Sequence, residues 1–387
     1  MFNATTVVTN QPYSREAGLR LGRDLVSRLG RNPDACWLFC APGAGMEELV
    51  GGVYETVKTP NLVGCTTDGE ISTSGFTVSS AVLAGIVTDR VRFRAASVTG
   101  LRTDSERAGR ELAKKLPADA RHVQLLSDGL TGNGCALVRG MNLSLGPRVV
   151  VSGGTAGDAR MFKQTWQFEG NRVLTDSAVA IAMSGDFEVG TGVRSGWFPA
   201  GATKKVTRSR GNVVYELDGE PALSVYRGYL GPLAKRLPAV GVQFPFGLVD
   251  EMFRLGEDPI LRAPMAISES DGSVTFAGEI PEGSTVCLTT GGTEEKLLDA
   301  SREAARRAVQ ALKGIKPQMI FFYSCMARKI LLGSRTGAEI ENIRNTVGGN
   351  LPAIGFYTYG EFCPNVSGTE CHLHNETATV TVLGLPY

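Results

Sequence analysis

The seven-residue pattern G-x-x-T-x-G-E occurs twice, at residues 64–70 and at residues 355–361. Each copy ends an apolar run of strand length and precedes another, "SSAVLAGIV" (79–87) in one case and "ETATVTVLGL" (376–385) in the other. A turn between two buried strands, repeated almost three hundred residues apart, indicates a chain that is internally duplicated.

The elements predicted around the two copies follow the same order. Around the first copy, Ser14 is the predicted N-cap and Gly30 the C-cap of a helix, which a buried strand and a second helix follow. Around the second copy, Thr293 is the predicted N-cap of the corresponding helix. The further elements are the strands at 34–40 and 318–325 and the helices that contain Leu49 and Val53, and Ile340 and Ile343.

A weaker third copy lies between them. Ser105 is its predicted helix cap, residues 122–129 its strand and residues 135–142 its second helix. The following stretch ends in Thr155-x-Gly157-Asp158, a T-x-G-acid sequence again. Residues 211–290 are expected to hold a fourth unit, although only a strand-like stretch at 212–220 and a helix from about Pro221 are recognisable there.

The predicted fold class is therefore α/β with mixed sheets, in which helix-strand-helix-strand-strand units repeat. A chain of 387 residues exceeds one ordinary core, and we expect two domains, at 1–205 and 206–387. The boundary is placed in the Gly-rich and basic stretch at 194–212.

The composition excludes several classes of partner. The net charge of +1 gives no electrostatic basis for binding nucleic acid or an anionic membrane surface. The apolar runs are far shorter than the roughly 20 residues of a membrane helix, and the N-terminus lacks the pattern of a secretion signal. The eight cysteines are irregularly spaced and are expected to be reduced. These features predict a soluble, cytoplasmic protein.

The T-x-G-E turns have residues that suit an amino acid ligand. Backbone N–H groups of a Gly-containing turn bind a carboxylate, and the adjacent glutamate binds an ammonium group. The alternative is that threonine and glutamate only tie a tight turn to nearby backbone. The candidate ligand-binding residues of the turns are Thr67, Gly69 and Glu70 in the first copy and Gly360 and Glu361 in the second.

Further candidate ligand-binding residues surround the second copy, and they are Cys325, Arg328, Tyr357, Tyr359, His374 and Asn375. Arg328 follows Cys325 at the predicted end of a strand, where a guanidinium can pair with Glu361 or hold a ligand carboxylate. Tyr357 and Tyr359 are two residues apart, so on a strand they face one side and can form a pocket wall. Core packing is the alternative for at least one of these tyrosines.

The loop at 363–374 concentrates metal-binding side chains, which are Cys363, Cys371, His372 and His374. They suit zinc by composition, although their spacing matches no zinc motif, and an exposed loop without metal is the alternative. A cysteine-dependent enzyme is a further hypothesis, with Cys40, Cys65 or Cys325 at a strand end as nucleophile. With three histidines in the chain, a partner base is scarce, and we expect no enzymatic activity.

Taken together, "NLVGCTTDGEIS", "VVSGGTAGD", "LDGEPALSVY" and "FFYSCMARKILLG…PAIGFYTYGEFCP…LHNETATVTVL" resemble the two halves of the FIST family. The first two stretches resemble the N-terminal FIST domain and the others the C-terminal FIST domain. The last stretch is the most specific, and it includes the pair His374-Asn375. The resemblance covers nearly the whole chain.

The resemblance implies a bacterial sensory protein that binds a small ligand, with amino acids as suggested ligands. Because the chain has no recognisable output domain, we expect it to signal through a separate protein, such as a histidine kinase or a cyclic-dinucleotide enzyme. Some family members are haem proteins that sense nitric oxide and act on a histidine kinase. In that alternative His374 is the candidate axial ligand, and a side chain that hydrogen-bonds a turn is its other interpretation.

Overall fold

The structure is a computed structural model that describes residues 1–250, 258–291 and 293–386. Within these ranges the strands form three mixed sheets of similar topology and a fourth sheet inserted into the third unit. Each unit places two parallel strands beside antiparallel ones, with helices packed on one face. The predicted α/β class with repeated units is confirmed.

The first unit begins at residue 2. Its elements are β1 (Phe2–Thr9), α1 (Arg15–Leu29), β2 (Ala35–Cys40), α2 (Met46–Val57), β3 (Leu62–Thr66), β4 (Glu70–Ser72), β5 (Gly75–Thr77) and β6 (Ala81–Thr88). The side chain of Ser14 caps α1 by accepting a hydrogen bond from the Ala17 N–H, and Gly30 ends the helix with φ 80°. Both predicted helix ends are confirmed.

The second unit repeats this order. Its elements are β7 (Val91–Thr99), α3 (Ser105–Lys114), β8 (His122–Ser127), α4 (Gly134–Leu145), β9 (Val150–Thr155), β10 (Gln167–Glu169), β11 (Arg172–Leu174) and β12 (Ser177–Gly185). The N-cap of α3 is Asp104, whose carboxylate accepts from the Arg107 N–H. The predicted cap, Ser105, is therefore one residue late, because the preceding aspartate takes the capping position.

The third unit begins with β13 (Glu188–Arg194) and is then interrupted. We call residues 197–291 the inserted segment. It contains β14 (Trp197–Arg210), β15 (Val213–Leu217), β16 (Glu220–Pro221), α5 (Ala222–Leu230), β17 (Phe246–Leu248), β18 (Ile260–Arg262), β19 (Pro264–Ile267), β20 (Val274–Phe276) and β21 (Thr285–Gly291), with 3₁₀ turns at Gly231–Arg236 and Ala239–Gln243. It forms an antiparallel sheet with its own apolar core, so the fourth unit expected at 211–290 is wrong.

The rest of the third unit resumes the common order. Its elements are α6 (Glu294–Ala311), β22 (Lys316–Cys325), α7 (Met326–Leu332), a 3₁₀ turn at Gly333–Arg335, α8 (Thr336–Val347), β23 (Ala353–Thr358), β24 (Glu361–Pro364), β25 (Cys371–His374) and β26 (Ala378–Leu385). The Thr293 side chain caps α6 by accepting from the Lys296 N–H, as predicted.

The units exchange their short hairpins. The hairpin β4–β5 of the first unit pairs with β23 of the third, β10–β11 of the second pairs with β3 of the first, and β24–β25 of the third pairs with β9 of the second. Each six-stranded sheet in the described residues therefore contains strands from two units. This cyclic exchange joins the first and last parts of the chain in one body.

The inner faces of the three sheets share one apolar interior. Trp37 packs against Phe321 with ring centroids 5.1 Å apart, and Phe39 packs against Phe356 at 4.6 Å. Strand β12 of the second unit contributes Ile181 to the same cluster. The helices cover the outer faces, where Leu25 and Leu49 of the first unit, for example, are fully buried. The sheets thus form a filled, three-sided barrel with its helices outside.

Candidate functional site

The two T-x-G-E glutamates lie in equivalent hydrogen-bond arrangements. Glu70 accepts from the Thr67 hydroxyl on one oxygen, and from the N–H and hydroxyl of Ser80 on the other at 3.1 and 2.6 Å. Glu361 accepts from the Thr358 hydroxyl, and from the N–H and hydroxyl of Thr377 at 3.2 and 2.7 Å. Each glutamate ties its turn to the strand that follows, which is the architectural alternative derived from the sequence.

Burial raises the pKa of both carboxyl groups, for Glu361 to about 8. Both side chains are fully buried. Both carboxylate oxygens of each glutamate already accept hydrogen bonds from threonine or serine residues of the same unit. A ligand ammonium group would have to displace these donors.

The third copy is offset by one residue from its sequence alignment. A Cβ on Gly64, Gly153 or Gly355 would lie within 2 Å of a carbonyl oxygen on the neighbouring parallel strand, which makes these three glycines equivalent. Counting from Gly153, Asp158 occupies the position of Gly69 and not that of Glu70. The structural counterpart of the glutamates is Gln167, which opens the hairpin β10–β11 and accepts from the Ser177 hydroxyl at 2.6 Å.

The three strand ends close a ring of backbone hydrogen bonds. The Asp68 N–H donates to the Tyr357 carbonyl at 2.9 Å, the Gly157 N–H to the Thr66 carbonyl at 3.0 Å, and the Tyr359 N–H to the Thr155 carbonyl at 3.4 Å. These bonds connect three segments far apart in sequence. The backbone donors that the sequence hypothesis assigned to a ligand carboxylate thus help to hold the units together.

Arg328 is completely buried and pairs with Glu339, not with Glu361 as the sequence suggested. Its guanidinium donates to Glu339 through Nε at 2.9 Å and Nη2 at 2.5 Å, and also to the carbonyls of Ser195 and Leu297. The hydroxyl of Tyr357 donates to the same glutamate at 2.7 Å. This network connects α6, α7, α8 and β23.

The two tyrosines do not form one pocket wall. Tyr357 lies on the helix-covered face of the third sheet, where burial raises the pKa of its hydroxyl. Tyr359 follows the end of β23; its hydroxyl donates to the Asp158 carboxylate and its ring stacks on Phe162 with centroids 5.1 Å apart. The strand ends at Thr358, so the alternation expected for a continuous strand does not extend to residue 359.

Cys325 lies at the start of α7 and is buried, as are Cys40 and Cys65. Burial raises the pKa of all three thiols, and for Cys325 the charges of Glu361 and Glu376 raise it further. These environments favour the protonated thiol and not a nucleophilic thiolate.

Residues 375 and 376 form a buried turn beside Cys325. Within the described residues, neither carboxylate oxygen of Glu376 nor the side-chain oxygen of Asn375 has a hydrogen-bond partner. Glu376 has φ 63°, in the left-handed region that a non-glycine residue rarely adopts. Burial raises its pKa well above the usual value for glutamate.

The candidate metal ligands pair across the hairpin β24–β25. Cys363 faces His372, and the rings of His372 and His374 are 6.4 Å apart. Among the described residues no group of three or more histidine, cysteine or acidic side chains has the geometry to hold a metal ion. The candidate zinc site therefore has no supporting geometry in this hairpin.

The surroundings of His374 do not fit a haem. Its Nε2 lies 3.0 Å from the carbonyl oxygen of Cys363, and the cavity that it lines has a volume of about 10 Å³, roughly one water molecule. Burial lowers the pKa of the ring to about 3, so the histidine is neutral. This geometry matches its other interpretation, a side chain that hydrogen-bonds local backbone.

A larger cleft of about 410 Å³ lies between the inserted segment and the second and third units. One wall is α4, another is β25 with His372, and the third is the inserted segment. Its lining includes Arg139 and Arg262 and three carboxylates, those of Asp250, Glu279 and Glu370. A cleft of this volume accommodates a small metabolite.

Sequence reasoning did not find Arg262. Its side chain is 5% exposed, its Nε donates to the Glu279 carbonyl at 2.9 Å, and its Nη1 donates to the Leu373 carbonyl of β25 at 3.1 Å. It therefore links the inserted segment to the third unit. A single arginine within the apolar stretch "PILRAPMAI" (259–267) was the available signal.

The fold and the cleft define an α/β protein of internally repeated units with a candidate small-molecule site. The chain belongs to the FIST family: the FIST N domain matches residues 34–220 and the FIST C domain matches residues 222–364. The resemblance seen in the sequence is thereby confirmed. FIST domains are associated with sensory signal transduction and small-ligand binding.

Two further comparisons give weaker likenesses. An uncharacterized protein of Methanocaldococcus jannaschii, MJ1623, is 23% identical over 321 residues, which are 75% of this chain and 59% of that protein. This chain thus spans less than two thirds of the length of that relative. Two cyanuric acid hydrolase structures, one of them from A. caulinodans, align over the full length of both chains at 9% identity, with TM-scores of 0.38 and 0.37. No helix in the described part of the chain is long and apolar enough to span a membrane.

Proposed function

We propose that this protein is a bacterial cytoplasmic sensor that binds an amino acid and signals through a separate protein. The observation that carries the proposal is the cleft of about 410 Å³ at the junction of the inserted segment with the barrel. Arginines and carboxylates both line this cleft, and an amino acid carries both complementary charges.

The sequence placed the ligand near the T-x-G-E turns. The cleft lies beside β25, which follows the second of these turns, and so it is close to that expectation without using the turn itself. Glu70 and Glu361 are occupied by hydroxyl and N–H donors of their own units. The carboxylates that line the cleft include Asp250 and Glu370, which are on exposed parts of the surface.

The position of the cleft suggests how binding becomes a signal. A ligand there touches the inserted segment on one side and α4 and β25 on the other. The ligand would stabilise the arrangement of the inserted segment against α4 and β25 in which it makes the better contacts. A partner protein that binds this arrangement preferentially would then respond to the ligand. A histidine kinase or a cyclic-dinucleotide enzyme remains our proposal for that partner.

A thermal-shift screen of the twenty amino acids tests the proposal. A ligand at one hundred times its dissociation constant stabilises the folded protein by about 2.7 kcal/mol, which a melting curve detects. Ser284→Trp places a large ring at the cleft and should abolish the shift. Ser270→Trp, on an exposed turn of the same segment, is the matched control and should retain it.

Two results would count against the proposal. If no amino acid raises the melting temperature of the wild-type protein, the ligand class is wrong. If a ligand stabilises Ser284→Trp as well as wild type, the binding site lies elsewhere, and the T-x-G-E turns become the next site to test by Glu361→Gln.

A further inference from the structure

One N–H group of the Arg262 guanidinium has no acceptor among the described residues. A guanidinium carries five N–H groups. Nε uses one on the Glu279 carbonyl, and Nη1 uses two on the carbonyls of Leu261 and Leu373, at 2.9 and 3.1 Å. Nη2 has a single contact, with the Cys135 sulfur at 3.5 Å. Within the described residues, one N–H of Nη2 is therefore left for an outside acceptor.

The acceptors around Arg262 are all neutral. Three are backbone carbonyls and the fourth is a thiol sulfur, and no carboxylate within the described residues pairs with this guanidinium. The carboxylate of Glu279 is directed to other donors, the side chains of Asn133 and Arg139. A buried charge without a counter-charge is costly, so an anion that reached Nη2 would gain a strong, charge-assisted bond.

The surroundings of Nη2 favour an anion at this atom. Cys135 lies in the first turn of α4, where the helix dipole adds positive character. Asp250 and Glu370 also line the cleft and bring negative charge to it. An ion with two or more negative charges would be repelled by these carboxylates, whereas a single carboxylate at Arg262 is compatible with them.

The geometry points to Arg262 as the anchor of a small carboxylate-bearing ligand, whose carboxylate accepts from Nη2 beside the Cys135 sulfur. This assignment rests on the proposed function for the identity of the cleft as the sensory site. It adds the anchoring residue and atom, Nη2 of Arg262, and directs any cationic group of the ligand to the carboxylates of the lining.

Alkylation of Cys135 tests the anchor without knowledge of the ligand. Cys135 is half-buried, whereas the other seven cysteines are buried. Iodoacetate and iodoacetamide react alike: the sulfur attacks the methylene carbon, a C–S bond forms, iodide leaves, and the thiol proton goes to solvent. They differ in that iodoacetate carries the carboxylate that Arg262 is proposed to bind.

Two alkylation rates of Cys135 are measured, one with iodoacetate and one with iodoacetamide. The first rate is divided by the second, and the ratio is compared with the same ratio for the free thiol of glutathione. A charge-assisted bond from Nη2 predicts an increase of about tenfold or more. Arg262→Gln should return the ratio to that of glutathione, and Arg227→Gln, at an exposed arginine of the inserted segment, should leave it high. A wild-type ratio equal to that of glutathione would overturn the assignment.

Ligand competition separates this inference from the proposed function. L-alanine, L-alaninamide, acetate and inorganic phosphate are compared for protection of Cys135 against neutral iodoacetamide. The assignment predicts protection by the two carboxylates and none by the amide. Protection by the amide as strong as by alanine refutes the anchor but leaves a small-ligand site. Stronger protection by phosphate would replace the carboxylate with a phosphate.

Cys135→Phe covers the case in which Arg262→Gln fails to fold. The phenyl ring would fill the space beside Nη2 while the guanidinium stays in place. Any amino acid that stabilises the wild-type protein should then lose its thermal shift, and Cys135→Ser should retain it. Equal shifts for the phenylalanine and wild-type proteins would show that the ligand does not reach Arg262.

Discussion

Replacement of Glu339 by alanine is the sharpest test of the role of Arg328. Glu339 accepts hydrogen bonds from Arg328, from the Ser324 hydroxyl at 3.0 Å and from the Tyr357 hydroxyl at 2.7 Å. Both charged side chains are 0% exposed. Glu339→Ala therefore leaves a buried guanidinium without its counter-charge and two hydroxyls without their acceptor.

Removal of one partner from a buried ion pair costs about 3–5 kcal/mol, because the remaining charge is left uncompensated. We expect a loss of that size in the free energy of unfolding, measured by urea denaturation followed by far-UV circular dichroism. Replacing both partners with apolar residues, as Arg328→Met with Glu339→Leu, should cost less than the single change, because no bare charge remains.

Glu303→Ala is the control on the neighbouring helix α6. Glu303 pairs with Arg306 at a partly exposed position, and its loss should cost at most about 1 kcal/mol. If Glu339→Ala lowers the free energy of unfolding by less than about 1 kcal/mol, the assignment of Arg328 to the packing of the third unit is refuted. Such a result would also restore the hypothesis that Arg328 holds a ligand carboxylate.

Three further predictions follow from the buried turns and thiols. Gly355→Ala would place a Cβ 1.6 Å from the Phe322 carbonyl oxygen and should prevent folding. Gly51→Ala, in open space on α2, should instead stabilise the folded protein by up to about 1 kcal/mol. Equal melting temperatures for the two variants would contradict this. Burial raises the pKa of Glu361 from 4.5 to about 8, so its contribution to stability is present below pH 4.5 and is lost as the pH rises through 8. Glu361→Gln should flatten that fall, which has a slope of at most about 1.4 kcal/mol per pH unit, and an unchanged slope would exclude Glu361 as its source. Ellman's reagent should modify one thiol of the folded protein rapidly, and Cys135→Ser should abolish that phase; rapid reaction of a second thiol would show that another cysteine becomes exposed.

The local structure was readable from the sequence because it depends on local patterns. Ser14 and Thr293 cap the helices that their positions predicted, and the strands at 34–40 and 318–325 occur at Ala35–Cys40 and Lys316–Cys325. The offset at the third copy has a local cause too. A loop separates Asp158 from Gln167, the structural counterpart of the glutamates, so sequence spacing aligned Asp158 with the glutamates instead.

The exchange of hairpins was not predictable in the same way. The short strands β4 and β24 follow their T-x-G-E turns immediately, and nothing in their sequence states which sheet edge they join. Pairing between strands this far apart in sequence, such as Ser72 with Ile354, is decided by the whole interior and not by periodicity. The predicted division into domains at 1–205 and 206–387 stays a prediction. Two of the six-stranded sheets contain strands from both sides of that boundary.

The partners of the candidate site residues were equally non-local. Arg328 was predicted to pair with Glu361 or to hold a ligand carboxylate, but its carboxylate partner in the structure comes from α8 and not from the turn. Arg262 and Cys135 are 127 residues apart, and only the placement of the inserted segment against α4 brings them together. Sequence spacing therefore identified the repeated turns, while the cleft required the three-dimensional arrangement.

The cleft lies where the third unit departs from the symmetry of the other two. The residue with positive φ before the closing strand is Ser79 in the first unit, Asp176 in the second and Glu376 in the third. Ser79 is exposed and Asp176 is half-buried, but Glu376 is fully buried without a partner in the described residues. The third unit also contains the inserted segment, which contacts β25 through Arg262.

This asymmetry is what would make the cleft effective as the proposed sensory site. The hairpin β24–β25 belongs to the third unit by sequence and to the second sheet by pairing, so a change at β25 acts on both units. A carboxylate bound at Arg262 would neutralise the charge that ties the inserted segment to this hairpin. Ligand binding would thus act on a junction of the inserted segment, the second sheet and the third unit.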